Sequence, residues 1–169
     1  MTMEDIEGEI YFLGDDINTD DIVPSHTLTM RDPNEMVKHI LEFKDPKFAQ
    51  KVTKRTIIVA GYNFGTGSSR EEAVNVFKIL GIKAIIAKSF SRIYFRNLIN
   101  NGVAAIKCDW DETTFSDGDH IQISIENGII LNKSKNSDIS YTTLPKFLKE
   151  ILESGGILNQ LKKKLDTGN

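Results

Sequence analysis

The sequence predicts a single α/β domain. Three observations carry that reading: two short apolar runs flank a segment of helical period, a further helix and strand follow them in tandem, and alternating strands around Asn127-Gly128 add an antiparallel hairpin. At 169 residues and 40% hydrophobic content, the chain suffices for one core, so one domain over residues 1–169 is expected.

In chain order, residues 8–13 carry Ile10, Tyr11 and Phe12 and break at Gly14-Asp15-Asp16, which reads as a strand and a turn. The segment Asp16-Ile17-Asn18-Thr19-Asp20-Asp21-Ile22-Val23-Pro24 is too acidic for a buried strand and reads as a functional loop. Pro33 opens a helix with Met36, Val37, Ile40 and Leu41 on one face, stopping before Asp45-Pro46. Residues 56–60 form a buried strand entering the glycine-rich stretch 61–67. Ser68 and Ser69 each precede a glutamate by three residues, Glu71 and Glu72, so either suits the N-cap of a capping box. Ala73, Val76, Phe77 and Leu80 follow at helical spacing, with Gly81 as the stop. The run 84–87 completes a strand–helix–strand unit whose strands should be parallel, because one helix separates them. A helix over 91–101 turns Phe95, Leu98 and Ile99 inward and precedes a strand at 103–106. Ile121, Ile123 and Ile125 alternate with polar residues and are joined through Asn127-Gly128 to Ile129-Ile130-Leu131 as a hairpin. A last helix carries Leu144, Phe147, Leu148, Ile151 and Leu152 and ends at Gly155-Gly156, followed by an apolar-faced segment over 157–165.

Charged residues make up 27% of the chain and are mixed, with a net charge of −3, which argues against nucleic acid or an anionic membrane as main partner. The acidic start lacks the features of a secretory signal, and no apolar run approaches the roughly 20 residues that span a bilayer. A cytoplasmic protein is expected. Cys108 is the only cysteine, which excludes an intrachain disulfide and the several thiolates that hold an iron–sulfur cluster.

The chemistry concentrates in Asn63-Phe64-Gly65-Thr66-Gly67-Ser68-Ser69-Arg70-Glu71, a glycine-rich loop entering a helix. Free backbone N–H groups at a helix start favour an anion, Arg70 adds a fork for a carboxylate or phosphate, and the serines add hydroxyls. A phosphate-binding P-loop would need Gly-Lys before the Ser or Thr, and a dinucleotide fingerprint would need a small residue where Arg70 stands. The Gly-x-Ser-x-Gly nucleophile pattern is absent as well. Spacing alone leaves a merely capped helix with a solvated arginine as the alternative.

That loop resembles the signature of the aconitase swivelling-domain family, which includes the small subunits of 3-isopropylmalate dehydratase and homoaconitase. The stretch Ala87-Lys88-Ser89-Phe90-Ser91-Arg92-Ile93-Tyr94-Phe95-Arg96-Asn97 resembles the family's second block, and the acidic loop 16–24 its first. The resemblance implies a swivelling β/β/α fold and a hydro-lyase subunit that is not active alone. It implies a large partner subunit carrying a [4Fe–4S] cluster, with no cofactor or metal in this chain, and a small di- or tricarboxylic hydroxy acid as substrate. By the same resemblance Ser68 would be the general base. Ser69 and Arg70, with Thr66 and Gly67 beside them, would hold a substrate carboxylate, and Asp20 would be catalytic by orienting active-site groups or would meet the large subunit. Arg92 and Arg96 lie four apart on one helix face, where they could contact the partner or the Ser68 loop.

Around the loop two positions depart from the family pattern, Thr66 where many members have cysteine and Glu72 where histidine is usual, and the specificity segment departs most, with His26 and Thr27 in place of an arginine and a tyrosine. Glu72 could pair with Arg70, which would favour a non-catalytic carboxylate-binding regulatory module. The specificity segment would comprise His26, Thr27, Leu28, Thr29, Met30 and Arg31. Leu28 and Met30 suit an apolar substituent such as isopropyl, since a carboxylate buried beside them would lack a partner. The reading is therefore a 3-isopropylmalate dehydratase small subunit of leucine biosynthesis, with homoaconitase, whose acidic-tailed substrate Arg31 keeps open, or dimethylmalate dehydratase as alternatives. His26 has no second histidine or cysteine near it in sequence and reads as a contact residue. Trp110 reads as a rim or packing residue, and Cys108 as a small buried side chain.

Overall fold

The computed structural model describes residues 3–168. Strand β1 (Ile6–Phe12) is followed by a one-turn helix α1 (Thr19–Ile22), α2 (Pro33–Met36), α3 (Phe48–Lys51) and strand β2 (Thr56–Ala60). Then come α4 (Glu72–Leu80), β3 (Ala84–Ala87), α5 (Arg92–Asn100) and β4 (Ala104–Lys107). Strands β5 (His120–Ser124), β6 (Ile129–Asn132) and β7 (Ser137–Ser140) precede α6 (Lys146–Glu153) and α7 (Ile157–Thr167).

All seven strands form one sheet in the order β4-β3-β2-β1-β5-β6-β7. The β4-β3-β2 part is parallel, built from the two tandem units read in the sequence, and β1 adds to it in parallel beside β2. The β5-β6-β7 half is antiparallel and joins through β1. Burial follows this division: β2 and β3 are buried at every residue, as expected for parallel strands covered on both faces, while β5 alternates. Phe64, Phe77, Ile58, Ile85, Ile86 and Leu98 are among the largest fully buried side chains. Helix α5 packs on α6 and α7, and α4 on α2 and α5. No helix among the described residues is long and apolar enough to cross a membrane.

Four local expectations need correction. The acidic loop contains α1, held by a capping box in which Asn18 Oδ1 accepts from the Asp21 N–H at 2.8 Å and the Asp21 carboxylate accepts from the Asn18 N–H at 3.0 Å. The helix from Pro33 lasts one turn, tightens to a 3₁₀ segment at Val37–His39 and ends at Leu41 with φ +56°. Met36, Val37, Ile40 and Leu41 are still all buried, and the Leu41 N–H is drawn to the Ile22 carbonyl at 3.2 Å. In α5 the inward aromatic is Tyr94, while Phe95 is only half-buried. Helix α7 has no buried residue, and its Leu158, Leu161 and Leu165 are exposed.

Cys108 is buried, and burial, with the nearby Asp109 charge, pushes its thiol up to about 11. Alkylation at pH 8 should therefore be absent in the native protein and rapid once urea unfolds it, a contrast that mass spectrometry of iodoacetamide-treated samples reads directly. Ile86 is fully enclosed between strands and helices. Ile86→Ala should cost about 2–5 kcal/mol of unfolding free energy, measured by the shift in urea midpoint.

Candidate active site

The four parallel strands point the same way, so the loops leaving β1 and β2 emerge side by side at their carboxyl ends, the usual edge for a binding crevice in such sheets. Backbone bonds join these loops: the Gly65 N–H donates to the Ile17 carbonyl at 2.7 Å and the Thr19 N–H to the Thr66 carbonyl at 2.8 Å. The Thr19 hydroxyl continues the seam by donating to the Ser68 carbonyl at 2.8 Å. On the other side, the Phe64 N–H donates to the Ser89 carbonyl and the Ser91 N–H to the Phe64 carbonyl, tying the loop to the entrance of α5.

Gly65 makes this packing possible. It has φ +82°, and a Cβ there would lie 2.2 Å from ring atoms of Tyr94. Tyr94 is itself buried and fixed, donating its hydroxyl to the Ala73 carbonyl at 2.6 Å, and burial raises its phenol well above the ordinary range. The loop therefore rests on an aromatic floor of Phe64, Phe90 and Tyr94.

Helix α4 begins at Glu72, later than the capping-box reading placed it. Its N-cap, Glu71, already has helical dihedrals, and no side chain caps it. Neither serine is a cap: the loop is tied back to Thr19, so Ser68, Ser69 and Arg70 remain outside the helix. Among the described residues, no hydrogen bond to another protein group is made by the Ser68 or Ser69 hydroxyl, or by the backbone N–H groups of Ser68, Ser69 and Arg70. Both serines are exposed. The result is a run of unspent donors and two free hydroxyls just before a helix start, suited to an anion.

Arg70 is held from one side only. Its Nη1 lies 2.7 Å from Asp20 Oδ1 and donates to the Val23 carbonyl at 3.2 Å. Both contacts fall on that nitrogen, which leaves the Nε–Nη2 edge, a two-donor fork, for a carboxylate. The Arg70 side chain is 20% exposed and Asp20 63%, so Asp20 serves as an outer brace. Glu72 does not take this position: it stands in the first turn of α4, exposed, and Arg70 pairs with Asp20 instead.

The cleft at this edge is lined by Thr19, Gly67, Ser68, Ser69, Arg70 and Asn97, among others, and measures only about 30 Å³. A larger cleft of about 820 Å³ lies on the other side of α5, with Arg92, Phe95, Arg96 and Phe147 in its wall. Ser68, Ser69 and Arg70 do not line it. Arg92 and Arg96 consequently do not face the Ser68 loop. Thr66 is also absent from the small cleft, its carbonyl being used by Thr19.

Of the segment His26 to Arg31, no residue lines the small cleft, but the segment leaves directly from Val23, the residue Arg70 grips. Leu28, Thr29 and Arg31 are exposed and Met30 half-buried. Thr27 is fully buried and donates its hydroxyl to the Pro24 carbonyl at 2.7 Å, which shapes the loop. His26, isolated in sequence, is not isolated in space, since His39 and Glu42 fold beside it. No spacing rule would pair residues 26, 39 and 42 across a broken helix. Trp110 is half-buried as a packing residue, donating its indole N–H to the Ala60 carbonyl at 2.9 Å beneath the Lys88 ammonium.

The sheet, the loop seam and the Ser-Ser-Arg turn define a class. Residues 15–110 match the family described as Aconitase C-terminal domain, and the chain belongs to that family. More particularly, it is 43% identical over 163 residues to the 3-isopropylmalate dehydratase small subunit of Nautilia profundicola, covering 96% of this chain and 98% of that one. It is 46% identical to 3-isopropylmalate dehydratase small subunit 1 of Thermotoga maritima, over 94% and 95% of the two chains. The crystal structure of 3-isopropylmalate dehydratase from Methanocaldococcus jannaschii superposes with a TM-score of 0.90 at 43% identity, covering 97% of both chains. The shared fold thus extends well beyond residue 110.

Replacing Gly65 by alanine should displace Tyr94 or the loop, since the new methyl has nowhere to go. A loss of about 1–3 kcal/mol is expected in urea unfolding, against little change for Gly14→Ala, where a Cβ meets nothing within 4 Å.

Proposed function

We propose that this chain works as the small subunit of a 3-isopropylmalate dehydratase, a hydro-lyase that interconverts 2- and 3-isopropylmalate by dehydration and rehydration, as in leucine biosynthesis. The observation that carries the site-level reading is the braced Arg70 with its open two-donor edge beside the unspent hydroxyls and N–H groups of Ser68 and Ser69. Arg70 and Ser69 would anchor a substrate carboxylate. Ser68 would take the proton from the carbon next to it and return it in the reverse step. A serine hydroxyl is too weakly acidic to serve as a base unless its alkoxide is stabilised. The Arg70 charge, the start of α4 and exclusion of water would supply that stabilisation. Asp20 would act as a positioning residue by turning the free edge of Arg70 toward the cleft.

The residues of this chain do not fit an iron–sulfur cluster, because Cys108 is its only cysteine and is buried in thiol form. The cluster would belong to a large partner subunit, and the work of this chain is anchoring, proton transfer and water exclusion. A cleft of about 30 Å³ is an order of magnitude below ordinary ligand pockets of roughly 300 Å³ and more, so a second surface must complete it. The exposed Leu28 and half-buried Met30 support an isopropyl-bearing substrate, because they offer no partner for a distal carboxylate.

In the complex with the large subunit, assembled anaerobically, Ser68→Ala should lower kcat on the order of 10²–10⁴-fold while co-purification persists. Activity within a few-fold of wild type would remove Ser68 as the base and favour a carboxylate-binding regulatory role. The same complex should turn over 2-isopropylmalate in preference to homocitrate, as followed by formation of the unsaturated acid in the ultraviolet. The opposite preference would reassign the substrate to the homoaconitase type.

A further inference from the structure

We propose that His26, His39 and Glu42 form a binding site for a divalent transition-metal ion of the zinc class. The chain has only three histidines, and two of them converge on one carboxylate from different segments. His26 belongs to the 3₁₀ turn Ser25–Thr27; His39 and Glu42 sit where the helix from Pro33 breaks. The Glu42 carboxylate meets an imidazole nitrogen at each oxygen: His39 Nδ1 lies 2.6 Å from Oε2, and His26 Nε2 lies against Oε1. One ligand atom from each residue falls within 4.8 Å of the other two. The two rings are edge-on, with centroids 5.3 Å apart and planes at 85°.

Donor chemistry selects the ion. Two imidazole nitrogens and a carboxylate oxygen suit Zn²⁺ and its first-row neighbours, whereas Mg²⁺ and Ca²⁺ prefer all-oxygen sets. Zinc–ligand distances of about 2.0–2.2 Å require only side-chain adjustment from this starting cluster. The ion would take the place of the hydrogen bonds between the imidazoles and the carboxylate, each neutral ring presenting to the metal the nitrogen that now faces Glu42 and carrying its proton on the other ring nitrogen. Side-chain exposures of 49% for His26, 34% for His39 and 24% for Glu42 leave an entry path and room for water at the remaining coordination position. Phe43 shields one side, with its ring edge-on to His26 at 6.2 Å.

The location gives the site a consequence. His26 is three residues beyond Val23, whose carbonyl receives Arg70. A bound ion would pin the segment 24–31 to the turn at residues 39–42 and so fix the wall leading to the Ser-Ser-Arg turn.

The test uses the untagged full chain, stripped with EDTA and titrated with ZnCl₂ by calorimetry and with Co²⁺ by visible absorption. Wild type and His120→Ala should each bind one equivalent saturably, show a cobalt ligand-field band and melt at higher temperature with zinc. His120 is the control because it lies on β5, paired with Glu7. His26→Gln and His39→Gln can keep a hydrogen bond to Glu42 but offer no imidazole nitrogen. They should lose the band and the zinc-induced rise while melting within a few degrees of wild type in EDTA; His26→Ala and His39→Ala give the same readout should a glutamine variant misfold. The site is overturned if wild type shows no saturable binding, or if binding is the same in the His26 and His39 variants, or if only His120→Ala abolishes it. None of these measurements needs substrate or the large subunit, so their failure leaves the catalytic reading untouched.

Discussion

The parallel pairing of β1 with β2 is the constraint on which the rest depends. Its register runs from Glu9 opposite Thr56 to Phe12 opposite Val59, so both strands release their loops at the same edge. If β1 ran the other way, the acidic loop would leave the far end of a five-residue strand, about 17 Å away at roughly 3.3 Å per residue. Thr19 could not then reach the Ser68 carbonyl, and Arg70 would lose both Asp20 and Val23. The antiparallel half of the sheet contributes by holding β1 from its other side, through Ile6–Ile123 and Gly8–Ile121.

The turn carrying Ser68 is positioned by packing rather than by helix capping, which resolves a conflict in its chemistry. A serine that caps a helix commits an oxygen lone pair and its rotamer to a backbone N–H, which competes with its use on a substrate. Here position is fixed by backbone atoms, with Gly65 on the Tyr94 ring and the Ser68 carbonyl on Thr19. The side chains are left uncommitted. Asp20 and Val23 treat Arg70 similarly, fixing the guanidinium through one nitrogen and leaving its other edge open. Side-chain entropy is thereby lost on folding, before any ligand arrives.

Much of the fold was legible because burial and period agree along the parallel half. The runs 56–60 and 84–87 are buried at every position and apolar at all but Thr56, and the intervening helix repeats Ala73, Val76 and Phe77 before Gly81 at φ +78°. Strand β7, Ser-Asp-Ile-Ser, was not legible, since it is a polar edge strand recruited by its hairpin neighbour and its own composition says nothing of strand. The helix at residues 33–41 was misjudged because its four apolar residues are indeed buried together, but by a turn with Leu41 in a left-handed conformation. At the site, the motif named Ser68, Ser69 and Arg70, whereas the Asp20 brace and the use of Val23 as an acceptor depend on strand order, which no local pattern contains. His39 and Glu42 were missed for the same reason: the partner of His26 is set by where a helix breaks.

For the proposed proton transfer at Ser68, the geometry makes a covering partner a chemical requirement. Ser68 and Ser69 stand in solvent beside a cleft of about 30 Å³. Water there would solvate and screen the Arg70 charge, so little of the field from Arg70 and the start of α4 would reach the reacting proton. Enlarging the cleft within this chain would not help, because its floor is the buried Tyr94 that positions the turn. On the proposed reading, the missing element would be an outer wall that removes water and brings further anchoring groups for the substrate. A surface wet when alone and dry when working would best be completed by a separate body closing over it, and the unpaired donors at this edge are the groups that such a body would cover.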